Sequence, residues 1–257
     1  MWYNIWHGGN MYKFFVNSEQ IFEKQIEING SDVNHIVNVL RLNSGNKIIV
    51  CDRESSISYI AEIESIDKER VVGNIVEEVE DTTEAGVSID LFQGLPKADK
   101  MEYIIQKTTE LGVKRIFPVA MDRCIVKIDG KSETKKLDRW QKIAEVAAKQ
   151  SKRDVVPKIE NIFNLENICQ NMGKYDIILL AYENENKISL KEELRNLNRN
   201  KELKIGVVIG PEGGFSEGEV QKLVNAGARC VSLGKRILRT ETAPIVAIAS
   251  IIYEFEL

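Results

Sequence analysis

Between residues 11 and 84, apolar and polar positions alternate in short runs, the period-2 pattern of strands with one buried face. Strands are predicted over 13–16, 47–52, 57–63 and 71–79. One helix interrupts them, starting at a Ser31 cap and carrying Val33, Ile36, Val37 and Leu40 at helical spacing. Short strands around a single helix predict a small β-barrel. The polar run over 80–86 (E-D-T-T-E-A-G) reads as a domain linker. Beyond it the rhythm becomes strand, helix, strand, helix. Strands are predicted over 87–92, 115–119, 176–181, 204–209 and 230–233, with helices near 97–111, 136–151, 188–196, 216–226 and 243–255. Alternation on this scale implies a mostly parallel sheet covered on both faces. Met101, Ile104, Ile105, Thr108 and Leu111 form the buried stripe of the first of these helices, and Trp140 is in phase with Leu137, Ala144 and Ala147 for packing.

The last fifty residues carry the densest information. The apolar run over 205–209 reads as a buried strand ending in a glycine-bearing loop, I-G-P-E-G-G-F-S. Ser216 and Glu219 then form an S-x-x-E capping box that opens a helix with Val220, Leu223 and Val224 on one face. Gly227 stops that helix, and a short strand leads into a second loop, L-G-K-R-I-L-R-T-E-T-A-P, before the final apolar helix. Pro244 suits the first turn of that helix. Two polar loops thus follow two neighbouring strand ends, the edge of an open α/β sheet where ligands bind.

Composition changes this picture in three places. No apolar run approaches the roughly 18 residues that span a bilayer, and Cys51, Cys124, Cys169 and Cys230 are scattered without C-x-x-C spacing, as in a cytoplasmic protein with reduced thiols. With only His7 and His35 as histidines, neither a metal constellation nor a Ser-His-Asp mechanism has support. The net charge of −4 argues against a nucleic-acid partner, but its distribution does not. Residues 54–84 hold ten acidic and two basic side chains, whereas 114–153 hold twelve basic and five acidic. A local basic face can bind phosphates whatever the total, although a solvated helix surface would look the same. Residues 1–10 carry Trp2, Trp6 and His7 and no targeting design. Met11 reads as the natural start, so these ten residues are either an appended remnant or the product of an upstream start codon.

Four blocks, in one order along the chain, carry a resemblance: H-I-V-N-V-L-R-L-N-S-G from His35, L-P-K-A-D-K-M-E-Y-I-I-Q-K-T-T-E-L-G-V from Leu95, R-W-Q-K-I-A-E-V-A-A-K-Q-S-K-R from Arg139, and the two tail loops. Together they resemble the RsmE family, uridine-N3 methyltransferases of 16S ribosomal RNA in the SPOUT (trefoil-knot) superfamily. Cys124, Val146 and Lys149 depart from the family's pattern. The resemblance implies an α/β fold: a PUA-like, RNA-binding β-barrel domain over 11–82 and a SPOUT-type trefoil-knot methyltransferase domain with a mostly parallel sheet over 83–257. It also implies S-adenosylmethionine as cofactor, the decoding region of the small ribosomal subunit as target, and a homodimer with each cofactor site near the subunit interface.

Carried over residue by residue, the cofactor contacts are Ala181, Tyr182, Glu183, Gly210, Pro211, Glu212, Gly213, Gly214, Leu233, Gly234, Ile237, Leu238, Thr240, Thr242 and Ala243. The glycines let backbone approach a ligand, and Leu233, Ile237 and Leu238 offer apolar walls for a purine ring. Taken alone, the first loop is neither a Walker A motif nor a G-x-G-x-x-G fingerprint, and a tight strand-to-helix turn explains it equally.

Methylating N3 of uracil requires alignment with the methyl donor and loss of the imide proton as the bond forms. Arg239 is the candidate for holding the uracil oxygens, with Glu212 or Glu241 accepting the proton and Thr240 and Thr242 orienting the base. The competing reading is an Arg239–Glu241 ion pair that only braces the loop. For RNA, Lys97, Lys100 and Lys107 are expected on one side of the first helix. Arg123, Arg139, Lys152 and Arg153 would extend that surface, and the resemblance adds His35 and Arg41. Two alternatives stay open: a SPOUT enzyme with another target atom, or a ribosome-assembly factor without catalysis.

Overall fold

The computed structural model describes residues 11–79, 83–126, 130–198 and 202–256. The ten-residue leader lies outside them, as do residues 80–82 at the start of the expected linker. Two compact units meet in sequence between Thr83 and Glu84.

The first unit contains β1 (Lys13–Val16), β2 (Ile21–Phe22), β3 (Gln25–Asn29), α1 (Ser31–Asn34), β4 (Lys47–Asp52), β5 (Ser58–Ile66) and β6 (Arg70–Val79). They form one six-stranded sheet in the order β1-β4-β5-β6-β3-β2, antiparallel except for β1 with β4. Register shifts between Ile60 and Ala61 and between Ile63 and Ser65 put bulges in the longest pair. Bulges of this kind bend a sheet around its core, here Phe14, Ile26, Ile28, Ile36, Ile48, Val50, Ala61, Ile63 and Val71. The hairpin of β2 and β3 escapes sequence pattern because only Ile26 and Ile28 mark it. Gly30, not Ser31, caps the helix, which gives way after one turn to a π-helical segment over His35–Val39.

The second unit alternates as the pattern predicts. Its elements are β7 (Val87–Gly94), α2 (Lys100–Glu110), β8 (Arg115–Val119), α3 (Gly130–Gln150), β9 (Lys158–Ile159), α4 (Leu165–Gln170), β10 (Ile177–Ala181), α5 (Leu190–Arg195), β11 (Leu203–Ile209), α6 (Glu217–Asn225), β12 (Arg229–Val231) and α7 (Ala243–Phe255). The sheet runs β12-β10-β11-β7-β8-β9 with every pair parallel. Successive residues of a strand point to opposite faces, so Leu179 joins one core while Ile178 and Leu180 join the other.

The first core packs the sheet against α2, α3, α5 and α7 through Met101, Ile104, Trp140, Leu190, Leu194 and Ile248. The second packs it against α4 and α6 through Leu165, Ile168 and Leu223. Each fully buried Ile or Leu contributes on the order of 1.5–3 kcal/mol relative to exposure. Within α6, Leu223 is buried and Val220 partly so, but Val224 is 40% exposed and stands outside the core. The capping box forms as read, with the Glu219 backbone N–H on Ser216 Oγ and the Ser216 N–H on Glu219 Oε2. Pro244 occupies the first turn of α7.

Candidate functional site

Because all strands run the same way, β7, β10, β11 and β12 deliver their following loops to one edge. A cleft of about 280 Å³ opens there. It is bordered by Ala181, Tyr182 and Glu183 after β10, by Gly210, Pro211, Glu212, Gly213 and Gly214 after β11, and by Leu233, Gly234, Ile237, Leu238, Thr240 and Ala243 after β12. These are the cofactor contacts that the resemblance implied, with one exception, and the catalytic candidates Arg239 and Glu241 lie in the same loop without bordering the cleft. Thr242 does not border the cleft; it is the N-cap residue of α7, and its backbone N–H donates to the Arg239 carbonyl at 2.8 Å. Asn186, Ile209, Phe215, Ser232, Lys235 and Arg236 also border it and were missed. Lys235 and Arg236 sit inside the motif and were legible as polar neighbours of Gly234, whereas nothing in sequence marks Asn186.

The loop at 210–215 is held by close packing. Gly214 has φ +66, and a Cβ added there would lie 2.5 Å from Glu183 Oε1. Both the left-handed backbone and the absent side chain are therefore used. Gly94, at the end of β7, lies so near the loop that an added Cβ would meet Pro211 N and Cδ at 2.7 Å. Thr240 ties the second loop to the first: its Oγ1 donates to the Gly210 carbonyl at 2.7 Å and accepts from Gln93 Nε2 at 3.0 Å. Thr240 is 7% exposed and Gln93 fully buried, so this hydroxyl braces backbone and is not placed to orient a base.

Glu212 serves the same frame. Its carboxylate accepts the Lys97 backbone N–H at 3.1 and 3.3 Å and pairs with Lys100 Nζ at 3.0 Å. Burial raises its pKa, but the Lys100 hydrogen bond and the backbone donors outweigh that, and the net shift is downward. A carboxylate so stabilised in its charged form is a poor proton acceptor. Lys100 reaches on to Glu241 Oε2 at 3.3 Å, an ion pair rather than an aligned hydrogen bond. Arg239 stands 3.9 Å from Glu241 and is 83% exposed, so the bracing pair between them is loose and the guanidinium is presented to solvent. Ile237, read as an inner wall, is 85% exposed and belongs to the rim, while Leu233 and Leu238 are half-buried.

The basic face read from sequence is substantially rebuilt by the fold. Arg153 is 4% exposed; it pairs with Glu84 and donates to the carbonyls of Thr109 and Val113, which makes it a structural tie inside the second unit. A buried guanidinium persists where its donors are satisfied this way. Lys97 precedes α2 and so does not share a helix side with Lys100 and Lys107. Lys107 pairs with Glu110, Arg139 with Glu102, and Arg123 donates to the Gly213 carbonyl at 2.8 Å. In the first unit His35 is exposed, edge-on to Phe14 at 6.2 Å, where α-helix gives way to π-helix. Arg41 follows that segment, exposed and with φ +53. An arginine held in this conformation is an uncommon feature that tends to mark functional sites.

Among the described residues, no group of three or more His, Cys, Asp or Glu side chains is arranged to hold a metal ion, and no helix is long and apolar enough to cross a membrane. The cleft combines carboxylates, rim cations, half-buried leucines and open backbone, a set suited to a small ligand with an apolar ring and charges of both signs.

Comparison with known proteins places these features. The family model of an RNA methyltransferase domain matches residues 83–252, and that of an RNA methyltransferase PUA domain matches residues 28–76. The chain is 37% identical to ribosomal RNA small subunit methyltransferase E of Bacillus subtilis (strain 168), over 96% of this chain and 98% of that protein. It is 31% identical to the protein of the same name from Mesomycoplasma hyopneumoniae (strain 232), over 91% and 96%. The crystal structure of a ribosomal RNA small subunit methyltransferase E from Neisseria gonorrhoeae, bound to S-adenosyl methionine, superposes with a TM-score of 0.81 at 33% identity, covering 95% of this chain and 97% of that one.

Proposed function

The chain belongs to the ribosomal RNA small subunit methyltransferase E family, and on that premise we propose that it methylates N3 of one uridine in 16S ribosomal RNA, using S-adenosylmethionine. Its fold is the family's, a PUA-like domain followed by an α/β methyltransferase domain. The target lies in the decoding region of the small subunit, and the enzyme acts in the cytoplasm as a homodimer. The observation that carries the reading is the cleft itself, where loops from three strand ends converge, with Arg239 exposed in the same loop, one residue beyond the lining Leu238.

The residues present fit the cofactor. Leu233 and Leu238 can flank an adenine, Gly210 and Gly214 bring main chain close to the ligand, and Glu183 offers a carboxylate to a cationic group. When bound, S-adenosylmethionine supplies an electrophilic methyl group on a sulfonium. The chain's own task is to hold the uracil in line and to favour loss of its N3 proton. Arg239 has little to hold it in place, so its guanidinium can reach the uracil oxygens, where negative charge grows as the N3–H bond breaks. Between the two candidate proton acceptors, the downward pKa shift of Glu212 and its fixed partners favour Glu241, directly or through one water. Lys100 then acts on the reaction by holding both carboxylates.

The test incubates small ribosomal subunits lacking native modification with the protein and labelled S-adenosylmethionine, followed by nucleoside mass spectrometry. The expected result is labelled N3-methyluridine, falling about 10²–10³-fold in rate with Arg239→Ala. Label on a ribose or on another base would overturn the target atom. Absence of both transfer and cofactor binding would leave the assembly-factor reading.

A further inference from the structure

The cations that sequence offered for RNA are largely spent inside the second unit: Lys100 on Glu212 and Glu241, Lys107 on Glu110, Arg139 on Glu102, Arg153 on Glu84. The rim of the cleft is different. Lys235 and Arg236 border it, both are exposed, and neither has a carboxylate partner among the described residues. Arg239 follows three residues later with Glu241 only at 3.9 Å. Between these cations stands Ile237, 85% exposed. A single exposed isoleucine is ordinarily unremarkable. Here it is flanked by cations at the mouth of the site to which a base must be delivered.

Resting on the reading above, we propose that Lys235 and Arg236 grip backbone phosphates of the target RNA beside the uridine to be methylated, while Ile237 packs against an adjoining base. The chemistry is that of RNA-modifying sites in general. Lysine and arginine contacts to phosphate fix register without reading sequence, and an apolar side chain covers the face of a base left unstacked when its neighbour is drawn out. Ser232 supports the geometry, since its hydroxyl accepts the Gly234 N–H at 3.2 Å and holds the start of the lip. The lip thus couples the two substrates: one loop borders the cofactor cleft on its inner side and meets RNA on its outer side.

The test uses the full chain with Lys235→Gln and Arg236→Gln combined, measuring retention of unmodified 16S ribosomal RNA on filters from 50 to 200 mM salt. Each phosphate contact to single-stranded nucleic acid contributes about 0.7 to the slope of log affinity against log salt. The double variant should therefore lose about 1.4 from that slope. Its affinity deficit relative to wild type should shrink roughly sevenfold across the range, a tally of two contacts. The thermal midpoint should not move, since exposed substitutions are near neutral. Ile237→Ser should weaken RNA binding without changing the slope. An unchanged slope in the double variant overturns the clamp. A change of sedimentation mass in either variant also overturns it, because the lip is then a surface between two copies of the chain. Filter retention needs no methyl transfer. Wild type that binds RNA without transferring methyl breaks the reaction reading and leaves the clamp standing, and wild type that binds no RNA overturns the clamp.

Discussion

The loop at 210–215 and the loop at 233–242 border one cleft, yet the first is packed against protein and the second stands largely in solvent. Gly94, Glu183, Arg123 and Thr240 all touch the first closely, so its backbone has one available path. The second is pinned at its ends, by Ser232 and by Thr240, and presents Lys235, Arg236, Ile237 and Arg239 outward. A rigid inner wall suits a cofactor of fixed shape, and an open outer lip suits a large substrate whose local geometry must be drawn into place. The difference explains why glycines concentrate on one side and long cationic side chains on the other.

That contrast can be broken hardest at Gly94. Gly94→Ala drives a methyl into Pro211 backbone rather than into a side chain that can swing away. Loss of about 3 kcal/mol in denaturant unfolding is expected, at the upper end for overpacking. An affinity for cofactor lowered in parallel would show the inner wall displaced. Thr240→Val should cost about 2 kcal/mol, because the buried Gln93 amide keeps only the Gly94 carbonyl of its two acceptors and the Gly210 carbonyl loses its hydroxyl donor. Since this hydroxyl joins the two loops, its removal should also weaken cofactor binding measured by calorimetry. A variant with wild-type stability would mean that the loops are not fixed to one another through it.

The smallest expected effect is one of pH. The Glu212 carboxyl has its pKa lowered in the folded state from an ordinary value of 4.5. Its contribution to stability is therefore fully present above pH 4.5 and is lost as pH falls through the lower, folded-state value. Glu212→Gln should be less stable than wild type at pH 7, with the gap between their urea midpoints narrowing below pH 4.5. Asp52 in the first unit, also lowered, keeps its contribution in both proteins and so does not affect that gap. A gap independent of pH would remove the charged strut from the frame.

The parts legible in sequence were those fixed by local chemistry. The capping box of Ser216 and Glu219, the first-turn Pro244 and the parallel strands followed from spacing alone, because each depends on residues a few positions apart. The cleft residues were found through the resemblance, since no local rule distinguishes Gly214 from the glycine of an ordinary turn. Misreadings arose wherever distant residues decided the outcome. Arg153 counted as surface charge until Glu84, Thr109 and Val113 surrounded it. Lys100 read as an RNA contact until Glu212 and Glu241 arrived from more than a hundred residues away. The element β9 was missed because two residues are too short to show a period.

The bond between Gln93 and Thr240 spans 147 residues of chain, and this separation governs when the site can exist. During synthesis the strand that carries Gln93 emerges well before its partner, and the link from its side chain to Thr240 must wait. At roughly 5–20 residues per second the interval is on the order of 7–30 seconds. Throughout it the sheet is added strand by strand, and the nascent chain has no cofactor cleft, because the lip and α7 have yet to appear. The cleft is thus completed only as translation nears its end, and a chain ending before Leu233 would lack its outer lip altogether.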